Sequence, residues 1–203
     1  MTEFLEPSRL QAALSKCTFG KQLYVFKEID STNDFIKKRC LQFNPAEGLI
    51  VIAEKQTKGR GRYGRQWDSP KGLGLWFSVL FLPDSTRLND FEWMQLGVRS
   101  CRSGIRKATD IQLEIHWPND LYFSNKKVAG ILTELVRGQR GIRQVVMGIG
   151  INVNQTVQDF SPSLREKAIS LRMISGRKIG RIQLLVKIVH ELEHHYRAEK
   201  SSG

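Results

Sequence analysis

The sequence predicts an α+β fold, with helices packed against a mixed, largely antiparallel sheet. Three observations carry this. Two continuous apolar runs, Gly48 to Ala53 (GLIVIA) and Gly72 to Leu82 (GLGLWFSVLFL), have the pattern of strands buried on both faces. From Ile111 to Val153 the chain is strand and turn throughout. Helical periodicity is confined to segments between and after these runs, instead of following every strand as in a parallel α/β sheet.

Taken in order, residues 6–16 place Leu10, Ala13 and Leu14 on one face after a Pro-Ser start, a short amphipathic helix. Lys21 to Glu28 is rich in β-formers and predicts a strand. Ser31-Thr32-Asn33 supplies cap chemistry for a helix to about Leu41 that buries Phe35 and Ile36. The GLIVIA run delivers Glu54, Lys55 and Gln56 to the mouth of a glycine-rich loop, and the second apolar run ends at Pro83. Asn89 to about Ala108 carries Phe91, Met94, Val98, Cys101 and Ile105 at helical spacing. Ile111 to Trp117 pairs with Leu121 to Phe123, Ser124-Asn125-Lys126 turns, and Lys127 to Val136 returns. A second turn at Gly138 to Gly141 leads to a strand over Gln144 to Val153. Helices are expected at Ser163 to about Met173 and at Arg181 to Ala198, with Glu199 to Gly203 fraying.

A chain of 203 residues suits one sizeable core. Its 40% hydrophobic and 26% charged content is that of a soluble globular protein, without internal repeats or low-complexity segments. The net charge of +12 favours anionic partners without choosing among nucleotide, nucleic acid, membrane surface or acidic protein. Part of it lies between Lys167 and His190, where six Lys or Arg occur with no acid, the usual look of a solvated helix face. Cys17, Cys40 and Cys101 share no metal-ligand spacing, which points to reduced thiols in a cytoplasmic protein. His190, His194 and His195 lack acidic or thiol partners at a diagnostic spacing, so no metal site is expected. No secretory signal opens the chain, and no run is long enough to span a bilayer.

Lys58 to Trp67 (KGRGRYGRQW) sets Gly59, Gly61 and Gly64 among Arg60, Arg62 and Arg65. This alternation has neither a helical nor a strand period. Glycine allows positive φ and close backbone approach, and arginine offers fixed forks for carboxylate and phosphate. The combination describes a loop able to close on an anion. A nucleic-acid contact is the other reading of such a segment, although only Tyr63 and Trp67 are at hand for stacking.

In order, STN, EKQTKGRGRYGRQW, HWPNDLY, KKVAGILTE and GIGINVN resemble the blocks of the biotin protein ligases over roughly residues 20–155. The resemblance implies a catalytic domain similar to that of class II aminoacyl-tRNA synthetases. It also implies an ATP-dependent enzyme that makes biotinyl-5′-adenylate and passes biotin to a lysine of a biotin carboxyl carrier domain. On the matching positions, Ser31, Thr32, Asn33 and Gln56 would bind the ureido end of biotin. Gly59, Arg60, Arg62 and Gly130 would surround its carboxylate, with Lys127 bridging to the α-phosphate. Arg62, Arg65, Trp67, Asn119, Lys127 and Asn152 would hold the nucleotide, Asn152 reaching the adenine. Lys127, Arg60 and Asp120 would carry the chemistry, Asp120 positioning or deprotonating the acceptor lysine. Gly130 and Gly150 would let backbone and ligand approach closely. Mg²⁺ would arrive with ATP, held chiefly by its phosphates.

Two departures stand out. His116 occupies the position before WPND that is usually lysine, which predicts a pH-sensitive anion site and a faster or flatter-profiled His116→Lys variant. Residues 1–203 are expected to form a single catalytic domain, with neither the N-terminal helix-turn-helix nor the C-terminal β-barrel of some members. No DNA or membrane partner is therefore expected, and an exposed sheet edge allows a homodimer. The C-terminal basic helices would attract an acidic carrier. A lipoate or octanoyl transferase is the nearest enzymatic rival, but the GRGRYGR and WPND blocks are not typical of those enzymes.

Overall fold

The computed structural model describes residues 4–83, 88–138, 141 and 143–201. Its secondary structure is α1 (Pro7–Ala13), β1 (Leu23–Phe26), α2 (Thr32–Gln42), β2 (Ile50–Ala53), β3 (Leu75–Phe81) and α3 (Asp90–Thr109). Then follow β4 (Glu114–His116), β5 (Asp120–Phe123), β6 (Lys126–Arg137), β7 (Arg143–Ile151), α4 (Leu171–Ser175) and α5 (Arg181–Ser201). The strands form one sheet in the order β1-β2-β3-β7-β6-β5-β4. Among the described strands only β1 and β2 are parallel, with α2 as their crossover, and the other neighbours are antiparallel. The expected α+β fold is the observed one.

The apolar runs are continuous because both faces of the central strands are covered. Ile50, Ile52, Val79, Phe81, Val145 and Met147 face a core shared with α1, α3 and α5. Leu49, Val51, Leu80 and Val146 pack on Ile36 and Cys40 of α2 on the other face. Asn89 starts α3 with a reciprocal capping box to Glu92, satisfying backbone donors that would otherwise lack partners. Ser124 and Asn125, with φ of 46° and 63°, form the two-residue turn between β5 and β6. All three cysteines are buried and none forms a disulfide. Burial pushes the Cys17 and Cys40 thiols up to about 11.

Two expectations differ from the structure, and a third falls partly outside the described residues. The helix expected over Ser163 to Met173 is replaced by turns up to Lys167, and only Leu171–Ser175 is helical. Backbone bonds to Lys127, from its N–H to Lys167 O (2.8 Å) and from Ile169 N–H to its O (3.0 Å), hold this stretch as an extended strap against β6. α5 continues through Ser201 because Tyr196 and Lys200 both bind Glu47, at 2.6 and 3.0 Å. Half of the second turn, Gln139 and Arg140, lies outside the described residues.

One member of the basic block is no surface charge. Arg181, 1% exposed, forks onto Glu54 at 2.8 and 3.1 Å and also donates to Gly74 O. Glu54 further accepts the Leu5 N–H at 2.6 Å. This buried pair ties the first turn of α5 to the end of β2, two residues before Gln56.

Candidate active site

A cavity of about 540 Å³ lies on the α2 face of the sheet, between the N-terminus of α2 and the Gly/Arg loop. All the site residues expected from the sequence line it except Gly59. The lining includes Ser31, Thr32, Asn33 and Gln56 at one end, and Lys127, Gly130 and Asn152 on β6 and after β7. Arg60, Arg62, Arg65 and Trp67 come from the loop, and Asn119 and Asp120 from the start of β5. Gly59 sits behind this wall. A Cβ there would fall 2.4 Å from Trp67 O, so the missing side chain serves the loop's own stem.

One end is a closed polar chain. Ser31 caps α2 by accepting the Asp34 N–H at 3.3 Å, which leaves Thr32 and Asn33 on the first helical turn. Gln56 Oε1 accepts the Thr32 N–H (2.9 Å) and hydroxyl (3.0 Å). Ser78 Oγ, fully buried on β3, lies 2.6 Å from Thr32 Oγ1 and 2.5 Å from Asn33 Oδ1. Asn33 donates to Glu134 Oε2 at 2.7 Å, and Lys37 reaches Glu134 Oε1 at 2.6 Å. Space for Asn33 exists because Gly148 lies beneath it, where a Cβ would be 2.5 Å from Oδ1. Sequence reasoning missed Ser78 and Glu134. A lone serine inside an otherwise apolar strand was the available signal.

The loop folds as a tight hairpin, with Gly61 N–H to Arg65 O at 2.7 Å, Trp67 N–H to Gly59 O at 2.9 Å, and Tyr63 at φ 57°. Arg60 forks onto Asp34 at 2.6 and 2.7 Å and stands 3.5 Å from Glu134. Burial raises the Asp34 pKa, but hydrogen bonds and charge from Arg60 and Lys37 outweigh it and hold the carboxyl below its ordinary range. A depressed carboxyl pKa means that the contact is complete above the unfolded value and is lost as pH falls through the folded one. The loop is therefore expected to become more sensitive to cleavage at its arginines in Asp34→Asn than in the wild type at neutral pH. An acid-stable protease should reveal the same loosening in the wild type below about pH 4. Equal cleavage rates for variant and wild type at neutral pH would show that Asp34 does not hold the loop.

Arg62 donates to Asn119 Oδ1 at 3.1 Å, and Asn119 Nδ2 is fixed on Ile131 O at 2.9 Å. Arg65 is exposed and makes no side-chain hydrogen bond or ion pair among the described residues. Trp67 lies over two glycines. A Cβ at Gly150 would meet its Nε1 at 2.5 Å, and one at Gly130 would be 3.0 Å from the ring. The space that the sequence assigned to a ligand beside Gly130 and Gly150 is thus used first by this indole. Its Nε1 is buried and has no hydrogen-bond partner among the described residues.

Lys127 and Gly130 are three residues apart and would face opposite sides of a regular strand. A register shift between Leu121 and Tyr122 pairs Asp120 with Gly130 but Tyr122 with Lys127. This bulge turns Lys127 onto the cavity face. Its Nζ meets Asp120 Oδ2 at 2.6 Å and lies 5.2 Å from the Trp67 ring centroid. Asp120 Oδ1 is buried without a partner among the described residues. Asn152 donates to Lys127 O at 3.3 Å and accepts from Gln155 at 3.1 Å. The sequence did not single out Gln155, Phe160, Lys167 or Ala168, which complete the wall through the strap beside β6.

His116 does not line the cavity. Its ring stacks on Tyr122 with centroids 4.0 Å apart, and Nε2 stands 3.7 Å from Glu114. Among the described residues no group of three His, Cys, Asp or Glu side chains could hold a metal. What the cavity offers is a neutral polar end, an aromatic wall and a cationic end with one unpaired carboxylate oxygen. That suits an elongated anion whose head both donates and accepts hydrogen bonds.

The sequence pattern of the Biotin/lipoate A/B protein ligase family matches residues 25–152. The bifunctional ligase/repressor BirA of Bacillus subtilis is 35% identical over 199 residues, 98% of this chain and 61% of the relative. The biotin–[acetyl-CoA-carboxylase] ligase of Mycobacterium tuberculosis is 28% identical, over 85% of this chain and 63% of its own length. Among solved structures, the biotin protein ligase from Aquifex aeolicus in complex with biotin and ATP superposes with a TM-score of 0.78. It is 34% identical, covering 89% of this chain and 72% of that one.

Proposed function

Since the chain belongs to the biotin/lipoate A/B protein ligase family, we propose that it is an ATP-dependent biotin protein ligase. The observation that carries this is the junction, in one cavity, of Gln56, Thr32 and Asn33, linked from behind by Ser78, with the Arg62 and Lys127 cations across the Trp67 wall. An amide and hydroxyl chain with donors and acceptors suits the ureido ring of biotin. At the other end, two anions must meet. The biotin carboxylate oxygen forms a bond to the α-phosphorus of ATP while the bond to the bridging oxygen breaks and pyrophosphate leaves. Lys127, held between Asp120 and Trp67, offsets the repulsion between the two anions. Mg²⁺ accompanying the triphosphate would supply further charge neutralisation there.

In the second half-reaction the amine of a carrier lysine attacks the acyl carbon, loses a proton, and AMP departs. The free Oδ1 of Asp120 is the group we assign to orient that amine or take its proton. The protein partner is the biotin carboxyl carrier domain of a biotin-dependent carboxylase, and we place the reaction in the cytoplasm. No helix of the described residues is long and apolar enough to cross a membrane. The repressor role in the name of the Bacillus relative is not part of this proposal. A homodimer through the free β1 or β4 edge is the assembly we propose.

Purified protein incubated with labelled biotin, ATP, Mg²⁺ and a carrier domain tests the function. Labelled carrier supports it, and no adenylate and no labelled carrier refutes it. With His116 outside the cavity, His116→Lys is expected to change the adenylation rate by less than about twofold between roughly pH 6 and 8. A clear flattening of the pH profile would return His116 to the anion site.

A further inference from the structure

The hydrogen-bond polarity of the wall beside Asn152 can be fixed from a single starting point, the carbonyl of Lys127. A carbonyl can only accept, so the amide facing it at 3.3 Å must be the NH₂ of Asn152. Asn152 Oδ1 then points the other way, and Gln155 must meet it with its own NH₂, at 3.1 Å. Gln155 is held in turn through its backbone O, which accepts from Ser170 Oγ at 2.6 Å. Of the two polar atoms of the Gln155 side chain, Nε2 is thereby turned to Asn152 and Oε1 faces away from it. That atom is buried in a residue only 1% exposed, and it has no hydrogen-bond partner among the described residues. A buried acceptor without a partner is costly, so a ligand that can donate to it gains a selective advantage. Gln155 lines the cavity together with Phe160 and Ala168, apolar surfaces suited to the faces of a flat ring.

We propose that Gln155 is a specificity-determining residue for the nucleobase, presenting an acceptor that selects an exocyclic amine over an exocyclic carbonyl. This rests on the biotin ligase reading, in which Asn152 stands at the base end of the nucleotide. ITP carries the same phosphates and sugar as ATP but places a carbonyl oxygen where adenine has its amine. Two acceptors would then face each other, and the site rejects that arrangement more strongly than it rejects a missing methylene.

The test is biotin-dependent exchange of labelled pyrophosphate into ATP or ITP. For the wild type, the KM for ITP is expected to be at least about tenfold above that for ATP. In Gln155→Met, of similar volume but without donor or acceptor, that ratio should collapse to within about twofold, mainly through a higher KM for ATP, with biotin affinity unchanged. Retention of the wild-type ratio in a Gln155→Met protein that still binds biotin overturns the assignment. So does a wild type that does not distinguish the two nucleotides. Should Gln155→Met fail to fold, the wild type is assayed with purine riboside triphosphate, which lacks the exocyclic group; its KM is expected to lie at least about fivefold above that for ATP, and a KM equal to that for ATP counts equally against the proposal. No biotin-dependent exchange with either nucleotide in the wild type overturns the ligase function itself, and this assignment with it.

Discussion

Lys127→Ala is expected to lower biotin-dependent pyrophosphate exchange by a factor on the order of 10²–10³, the usual cost of removing one preorganised group from developing negative charge. The loss has two sources. One is the cation itself, which lies 2.6 Å from Asp120 and against the face of Trp67. The other is Asp120, whose carboxylate then stands in the wall with neither oxygen paired, adding repulsion where two anions must meet. Lys127→Arg should not restore the rate, because a planar fork cannot occupy the compact point between Asp120 and the indole. Biotin binding without ATP should weaken far less than exchange, since the ureido end is held by Gln56 and its neighbours. A fall in exchange of less than tenfold would remove Lys127 from the chemical step.

The largest effect on stability is expected at a residue remote from the cavity. Arg181→Met should destabilise the fold by about 3–5 kcal/mol, because it strands a buried Glu54 without its partner. In a chain of this length that corresponds to a fall in Tm on the order of 10 °C. Adding Glu54→Gln should recover part of the loss, as the uncompensated charge disappears. Thermal melts of the single and double variants measure both. A single variant that melts within about 2 °C of the wild type would show that water or rearrangement satisfies Glu54.

Those two residues illustrate what the sequence could and could not disclose. Features written in consecutive residues were legible: the Ser31 cap, the periodicity of α3 and α5, the turn at Ser124 and Asn125, and the existence of a glycine-arginine loop. Most of the cavity wall was legible as well, since its residues come in short blocks, each delivered by one strand end or one helix start. Features made by pairing across the chain were not. The bulge that aims Lys127 is a mismatch between β5 and β6, and nothing within KKVAG announces it. Arg181 looked like one more solvated charge because its partner is 127 positions away. The helix expected from Ser163 failed for the same reason, as backbone bonds to Lys127 outcompeted local helical bonds. Gly150 was correctly marked as a point of close approach, but the group that approaches is Trp67.

The antiparallel pairing of β3 with β7 also governs when the cavity can come into existence. Joining Phe81 to Val145 closes a loop of roughly 60 residues, at an entropic cost of about 3–4 kcal/mol before any contact is gained. Until that seam forms, Ser78 has no Gly148 opposite it, Asn33 has no floor, and Trp67 has no Gly150 to rest on. Local helices and hairpins can assemble early, but the cavity belongs to the late, non-local phase of folding. A newly made chain would thus acquire most of its secondary structure well before it could hold a ligand.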